Sequence, residues 1–569
     1  MRLRQHAVRI GSLGAVLALA ATACGGGGGG GGTSSSTQTT SSAGKKGGTL
    51  NVLLIADFEH LDPQRNYVGS ALNFGTRLLY RTLTAYQSKP GAAGSQIVPD
   101  LATDLGRPSN GGKTWEFTLK DGVKYEDGTP ITCADLKYGV ERSFSSQITD
   151  GPQYAQAYLA NAASYKGPYV GGNNGGKGLS SITCKDAKTI VYQLGQPVGD
   201  FNYTVTLPQF SPVPRAKDTN VKYDNRPFAS GPYKIESYTR QKQITLVRNA
   251  QWDPKTDPIR KALPDKIVGV FGLDPSVIDQ RLMADAPSDQ TAVMLDSNIQ
   301  AENIATVTTD PTMKKRLIAG LSGFTRYLAI NTAKVKNLKV RQAIEYAIDK
   351  ESYRGTRGGK DAGDFANSMI TPLLTSYKKF DVYPAPPTGD QAKAKALLTA
   401  AGALGTKLTI DIANTPTNAK SAAAFKEALG KAGFNVTINP INTDVFYTTI
   451  GKRATENELA LVGWGPDWTN GSSVIPPLFD GRLLVPEGNN NYAQLNDPAI
   501  NAGIAAANQE TDLTKQAKLW GDLDQKVLED AAVVPLIYDR NNQLQGSKVT
   551  GGFLHSFFGQ ADFATLGVS

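Results

Sequence analysis

Between Thr114 and Phe144 the chain reads TWEFTLKDGVKYEDGTPITCADLKYGVERSF, a stretch whose local signals leave few structures open. Trp115, Phe117 and Leu119 alternate with polar residues, so an extended chain here buries one face. Asp121-Gly122 makes a turn, Val123 and Tyr125 resume the alternation, and Asp127-Gly128 stops it, which predicts a hairpin. Thr132, with Asp135 three residues on, predicts a helix start through a variant of the capping box. Cys133, Leu136 and Val140 then fall on one face of that helix.

The N-terminus carries Arg2, Arg4 and Arg9, then an apolar run from Ile10 to Ala23 that ends at Cys24. A helix crosses a bilayer with about 20 apolar residues. This run is shorter, has a basic leader and ends in small residues, so residues 1–23 read as a signal peptide. Ala21-Thr22-Ala23-Cys24 resembles a bacterial lipobox, which implies a lipoprotein whose mature chain starts at a lipidated Cys24, two acyl chains being enough for stable anchoring. Ordinary secretion with a free thiol is the alternative. Residues 24–47, glycine from Gly25 to Gly32 and then Ser/Thr-rich, read as a tether. The glycine run lacks the fixed positions of a phosphate loop. Gly112-Lys113-Thr114 also fails as one, because its spacing requires glycine where Arg107 stands and it leads into a strand.

Loss of the leader's arginines lowers the formal charge from the +9 of the whole chain to +6. No Lys/Arg block tracks a nucleic-acid backbone, so no nucleic-acid partner is expected. About 520 residues remain beyond the tether, enough for two to four domains. If Cys24 takes lipid, Cys133 and Cys184 are left in a chain that matures outside the cytoplasm. They are expected to be bonded, two separate reduced core cysteines being the alternative. Two cysteines without a neighbouring histidine do not make a zinc site.

The order of segments carries the family reading. A strand from Leu50 to Ile55, Leu61-Asp62-Pro63, and an amphipathic helix through Leu72 to Leu79 open the chain. Val98-Pro99-Asp100-Leu101-Ala102, the Thr114–Phe144 stretch, and Gly231-Pro232-Tyr233-Lys234-Ile235 with the strand Ile244 to Asn249 follow. A strand from Tyr327 to Thr332 begins the second half, and Val340, Ala343, Ile344, Ala347 and Ile348 mark a one-faced helix. Leu408 to Ile412, a helix over about 420–431 stopped at Gly433, and Asn435 to Ile438 make a β-α-β unit. A strand from Leu459 to Val462 delivers the chain to Gly463-Trp464-Gly465-Pro466-Asp467, before a last helix over about 513–528 and a strand from Val533 to Ile537.

This series resembles the family 5 extracellular solute-binding proteins, the dipeptide and oligopeptide receptors of ABC importers. The resemblance implies an α/β fold like the type II (class C) periplasmic binding proteins, two lobes with a hinge plus an inserted domain. Residues 48–83, 208–320 and 531–569 would form lobe I, 84–207 the inserted domain II, and 321–530 lobe II, with Val533 to Ile537 returning the chain to the first lobe.

Once the leader is removed, only His60 and His555 could serve acid-base chemistry, and neither has a catalytic setting. No nucleophile elbow or zinc-hydrolase motif is present, so the chain reads as a receptor without catalyst, metal or cofactor. Asp467, in Gly-Trp-x-x-Asp, matches the family position whose carboxylate holds a peptide's α-amino group; a turn cap is the alternative. Gly463, Trp464 and Gly465 belong to the same motif, Trp464 as side-chain pocket or core. Asn66, Tyr67 and Val68 match a segment supplying backbone contacts, with Tyr67 where oligopeptide receptors have an acid. Asp296, Ser297 and Asn298 match a polar stretch between the lobes, and surface loop is the alternative for both segments. Tyr327 is a cleft candidate with a core alternative. The implied function is a monomeric, membrane-anchored extracytoplasmic receptor that captures short peptides and delivers them to ABC permease subunits. The alternatives are a non-peptide solute (nickel complex, sugar or opine) or a surface signalling role.

Overall fold

Leu328, Ile330, Leu459, Leu461, Val534 and Leu536 pack on one side of a sheet, and Tyr327, Ala329, Ala460, Val462 and Val533 on the other. That is the period-two pattern of strands covered on both faces. The structure is a computed structural model that describes residues 44–148, 151–170 and 178–569. This sheet has six strands in the order Gly363–Phe365, Val533–Leu544, Leu317–Ile330, Leu459–Trp464, Lys407–Ala413 and Asn435–Ile441. Helices Leu338–Ala347, Gln391–Ala400 and Pro416–Ala432 cover one face, and Ile475–Phe479, Pro498–Gln509 and Leu513–Glu529 the other. Val340, Ala343, Ile344 and Ala347 point inward as their spacing predicts. The expected β-α-β unit is present, with Lys407 in parallel register with Asn435. Its helix stops at Gly433, whose φ of +104° is the left-handed conformation that glycine adopts without strain.

A five-stranded sheet, in the order Ala292–Met294, Thr49–Leu53, Lys266–Val270, Gln243–Arg248 and Tyr233–Thr239, gathers the start and middle of the chain. The expected return of Val533 to Ile537 to this first lobe does not occur. The strand runs on to Leu544 and pairs along Leu317–Ile330, from Ala329 opposite Val533 to Leu317 opposite Leu544. Only Val533 to Ile537 is an apolar run; beyond it the pairing continues through the polar residues Asp539 to Gln543, carried by the backbone ladder to the Leu317–Leu321 end of the long strand. Only at Gln545, bridged to Val293, does the chain reach the five-stranded sheet. The long antiparallel pair is therefore the structural link between the two sheets.

The third sheet, Arg107–Ser109, Thr114–Thr118, Thr189–Gln193 and Ile182–Cys184, corrects the hairpin expectation. Trp115 and Phe117 are buried as the alternation predicts, but they lie opposite Tyr192 and Ile190. Val123 and Tyr125 fill the same core from a small loop closed on itself by Tyr125 N to Thr129 O and Ile131 N to Val123 O. Asp135 accepts from the Thr132 N–H at 2.8 Å, opening the helix Cys133–Arg142. Cys133 is bonded to Cys184, which clips this helix to the edge strand. Cys133→Ser with Cys184→Ser should lower the stability of this part of the chain by about 2–4 kcal/mol, because 51 residues separate the bonded positions. Urea denaturation under non-reducing conditions reads this, and an unchanged midpoint would contradict it. The leader, Cys24 and the tether up to residue 43 lie outside the described residues. From Gly44 on, the chain packs beside the segment that leads into the interior strand Lys266–Val270, with Gly47 N donating to Leu263 O at 2.9 Å.

Candidate functional site

The strand Leu459–Trp464 leaves its sheet at Trp464, and Asp467 follows where three distant parts of the chain meet. The Asp467 carboxylate accepts from the Tyr67 hydroxyl at 2.5 Å and from the Tyr154 hydroxyl. Tyr67 comes from the segment after Leu61-Asp62-Pro63, and Tyr154 opens the short helix Tyr154–Tyr158 in the chain between the third sheet's strands. Part of the residue stays accessible. The carboxylate nevertheless lies deep enough for burial to push its pKa above the ordinary range, while the two phenol hydrogen bonds pull it back. Burial, with the carboxylate beside them, also drives both phenols well above the usual tyrosine range. Among the described residues no Lys or Arg forms an ion pair with Asp467.

The residues after Asp467 lock the same junction. Trp468 packs edge-on against Tyr154 with ring centres 4.9 Å apart. Its Nε1 donates to Asp200 at 3.2 Å; Asn470 Nδ2 donates at 2.8 Å, and the Ser472 hydroxyl also donates. Asp200 is fully buried, which raises its pKa. Gly199 N donates to Asn508 O beside it at 2.8 Å. Two carboxylates thus cross the junction in opposite directions, Asp467 onto two tyrosines and Asp200 into the Trp468–Ser472 loop.

Of the other expected site residues, Gly463 and Gly465 are spaces for neighbours. A Cβ on Gly463 would lie 2.9 Å from Arg326 Nη1, and one on Gly465 2.4 Å from the Phe324 ring. Trp464, partly exposed, donates to Ser473 O at 2.8 Å and packs on the core beneath. Tyr67 is brought to Asp467, but its neighbours are structural. Asn66 is buried, donating to Ala71 O at 2.8 Å and to the Tyr80 hydroxyl, and Val68 caps the helix Gly69–Phe74 against the first core. Tyr327 is 2% exposed within the second core, so the cleft role fails: the two-faced burial of its strand takes it inward.

Asp296, Ser297 and Asn298 lie at the crossing between the two sheets. Asp296 accepts from Ile55 N at 2.9 Å and Ala56 N at 3.2 Å, and burial pushes its pKa up to about 6. Ser297 O accepts from Gln543 Nε2 at 3.0 Å, and Asn298 Oδ1 from Asn542 N at 3.0 Å. These contacts steady the link. They do not converge on Asp467.

Nothing in the sequence around Tyr154 or Asp200 marks either residue as part of this junction.

Residues 96–482 match the model of the bacterial extracellular solute-binding proteins, family 5. Over 489 residues the chain is 26% identical to the probable D,D-dipeptide-binding periplasmic protein of Escherichia coli (strain K12), covering 84% of this chain and 85% of that one. It is 25% identical to the periplasmic oligopeptide-binding protein of Salmonella typhimurium, covering 76% and 78%. Among solved structures, the clavulanic acid biosynthesis oligopeptide binding protein 2 is 32% identical and superposes with a TM-score of 0.85 over 93% of this chain and 99% of that one.

Proposed function

The chain belongs to the bacterial extracellular solute-binding proteins, family 5, and from that membership we propose that it captures short peptides between its lobes and passes them to an ABC importer. The observation that carries this reading is Asp467, a buried carboxylate at the meeting of three chain segments whose polar neighbours are phenols rather than cations. A carboxylate in such a place gains most from a cationic guest that needs a counter-charge, as a peptide's α-ammonium does. The tyrosine hydroxyls hold its place when no guest is present. Relatives named for dipeptide and oligopeptide binding point the same way.

In this reading residues 48–83 and 208–320, with the segment after Gln545, form the first lobe, 84–207 the inserted domain, and the six-stranded sheet with its helices the second lobe. Closure of the lobes on a bridging ligand is the signal to the permease. The receptor is a monomer outside the cytoplasm, lipid-anchored through Cys24, and carries out no reaction on its ligand. Among the described residues no helix is long and apolar enough to cross a membrane.

The test is retention from a library of short peptides, free and N-acetylated, by the full chain in detergent, read by native mass spectrometry. Intact free-amine peptides should be retained and their acetylated partners released. Retention of non-peptide solutes alone would replace the peptide assignment, and cleaved products would overturn the receptor reading.

A further inference from the structure

The described chain starts on a basic face at one end of the five-stranded sheet. Lys45 and Lys46 are exposed, and the glycines on either side of them are seated. A Cβ on Gly44 would lie 2.9 Å from Thr550 Oγ1 and 3.3 Å from Gly567 Cα, and Gly47 N donates to Leu263 O at 2.9 Å. Two further exposed lysines flank these seats. Lys261, shortly before Leu263, donates its N–H to Ala564 O at 2.9 Å, and Lys548, shortly before Thr550, accepts at its carbonyl from Ser569 N at 2.9 Å. None of the four lysines forms an ion pair with a described residue, because the nearby carboxylates are engaged elsewhere. Asp265 pairs with Arg248 at 3.1 Å and Glu236 with Lys266 at 2.9 Å, while Asp285 accepts from Ser547 N at 2.9 Å and lies 3.5 Å from Arg316. The C-terminal carboxylate at Ser569 offsets one of the four lysine charges, so three remain. Like charges gathered this closely repel one another, a cost that an opposite surface removes.

We infer that this face, with Lys45, Lys46, Lys261 and Lys548, docks on the headgroups of a bilayer that contains anionic phospholipid. Lysines suit such a surface: each ammonium is a point charge on a flexible stem and meets a headgroup phosphate without a fixed geometry. The direction of the chain supports the same partner. The segment that carries Cys24 joins the folded chain at Gly44, and the stretch between them reaches at most about 70 Å when extended, so a lipid on Cys24 holds this face within that distance of the bilayer. To that extent the inference rests on the lipid-anchored reading; it needs nothing from the peptide assignment. The strands Thr49–Leu53 and Lys266–Val270 run parallel away from this face, and beyond Leu53 the chain reaches the crossing where Asp296 accepts from Ile55 N. A receptor docked here holds that crossing outward, and it must tilt before the far end of these strands can meet a permease.

The test is cosedimentation of the full chain with vesicles of phosphatidylcholine, alone or with about one-third phosphatidylglycerol. Every chain compared carries Cys24→Ser, so that no acyl group masks the weaker contact. Whatever residues 1–43 contribute is common to all of them, and the preference for anionic over neutral vesicles, compared between chains, reads the face. A lysine near such a surface is worth about fivefold. Lys45→Gln, Lys46→Gln, Lys261→Gln and Lys548→Gln together should therefore lower the preference by about 30-fold or more at low ionic strength. The same number of changes around the six-stranded sheet, at the exposed Lys336, Lys339, Lys395 and Lys420, should lower it by about threefold or less. Circular dichroism checks that both variants are folded. Equal losses from the two sets would reduce the effect to net charge and overturn the docking face. So would a parent preference that persists undiminished at about 0.5 M salt, where exposed charges are screened. Either result leaves the peptide assignment standing, since no peptide enters the measurement.

Discussion

Asp62→Ala is expected to destabilise the protein by about 3–5 kcal/mol, the cost of stranding a buried charge. Asp62 and Arg142 are both fully buried and meet through two parallel hydrogen bonds, Nη1 to Oδ1 at 2.9 Å and Nη2 to Oδ2 at 2.7 Å. Removing the carboxylate leaves the guanidinium with Asp218 at 3.2 Å, the Tyr169 hydroxyl at 3.0 Å, the Gln64 side-chain oxygen, Asn220 O at 3.5 Å and the Tyr223 ring at 4.7 Å. Asp218 is already engaged by Tyr138 and Tyr169, so it compensates only in part. The pair joins Leu61-Asp62-Pro63 of the opening segment to the last turn of the helix Cys133–Arg142, and its loss should loosen that helix from the opening segment. Urea denaturation measures the shift. Asp62→Ala with Arg142→Met should cost clearly less than the two single changes added together, because the double change removes the stranded charge. A loss below about 1 kcal/mol for Asp62→Ala would show that the ion pair is not the joint described.

What could be read from the sequence was mostly local. The capped helix at Thr132, the one-faced helix with Val340 and Ile344, and the stop at Gly433 depend on neighbours within a turn or two, and the structure has them where the spacing placed them. The Trp115 strand shows where this ends. Its alternation set which side chains are buried, yet Asp121-Gly122 is only a local turn signal, while the partner strand with Tyr192 and Ile190 lies about 75 residues away. Tyr327 and Val533 failed for a different reason. Strands buried on both faces are apolar at every position, so period two cannot say which side chains look toward a cleft. At the site, Asp467 was named through its motif, but the Tyr154 and Asp200 contacts come from pairings 313 and 268 or more residues apart, and no window of sequence contains both members.

Asp467→Asn should weaken binding of free-amine peptides by about 30-fold or more, since losing one member of a buried charge pair costs 2–5 kcal/mol. N-acetylated peptides should not respond. The pH dependence separates an anchor from a cap more sharply. Burial raises the Asp467 pKa above its ordinary 3.8 where the carboxylate meets Tyr67 and Tyr154, and if this junction is what closure of the lobes assembles, the group should return toward that value when the lobes part and water reaches it. The closed empty form therefore binds the proton more tightly than the open one, so empty closure is most favoured below the ordinary value and is lost as pH rises through the raised one. Asp200, buried and raised in the same way, adds a contribution of the same sign. Peptide binding runs oppositely, because the ammonium needs the ionised carboxylate. Affinity should rise with pH across that window and hold until the peptide's own amine deprotonates near pH 8. Small-angle scattering of the empty chain and calorimetric titration with a peptide, each from pH 3.5 to about 8, give the two slopes. Asp467→Asn should flatten the binding slope while Asp200 preserves part of the closure slope. If binding and empty closure weaken together as pH rises, the Asp467 carboxylate is a cap within the junction, and the ligand's positive charge is held elsewhere.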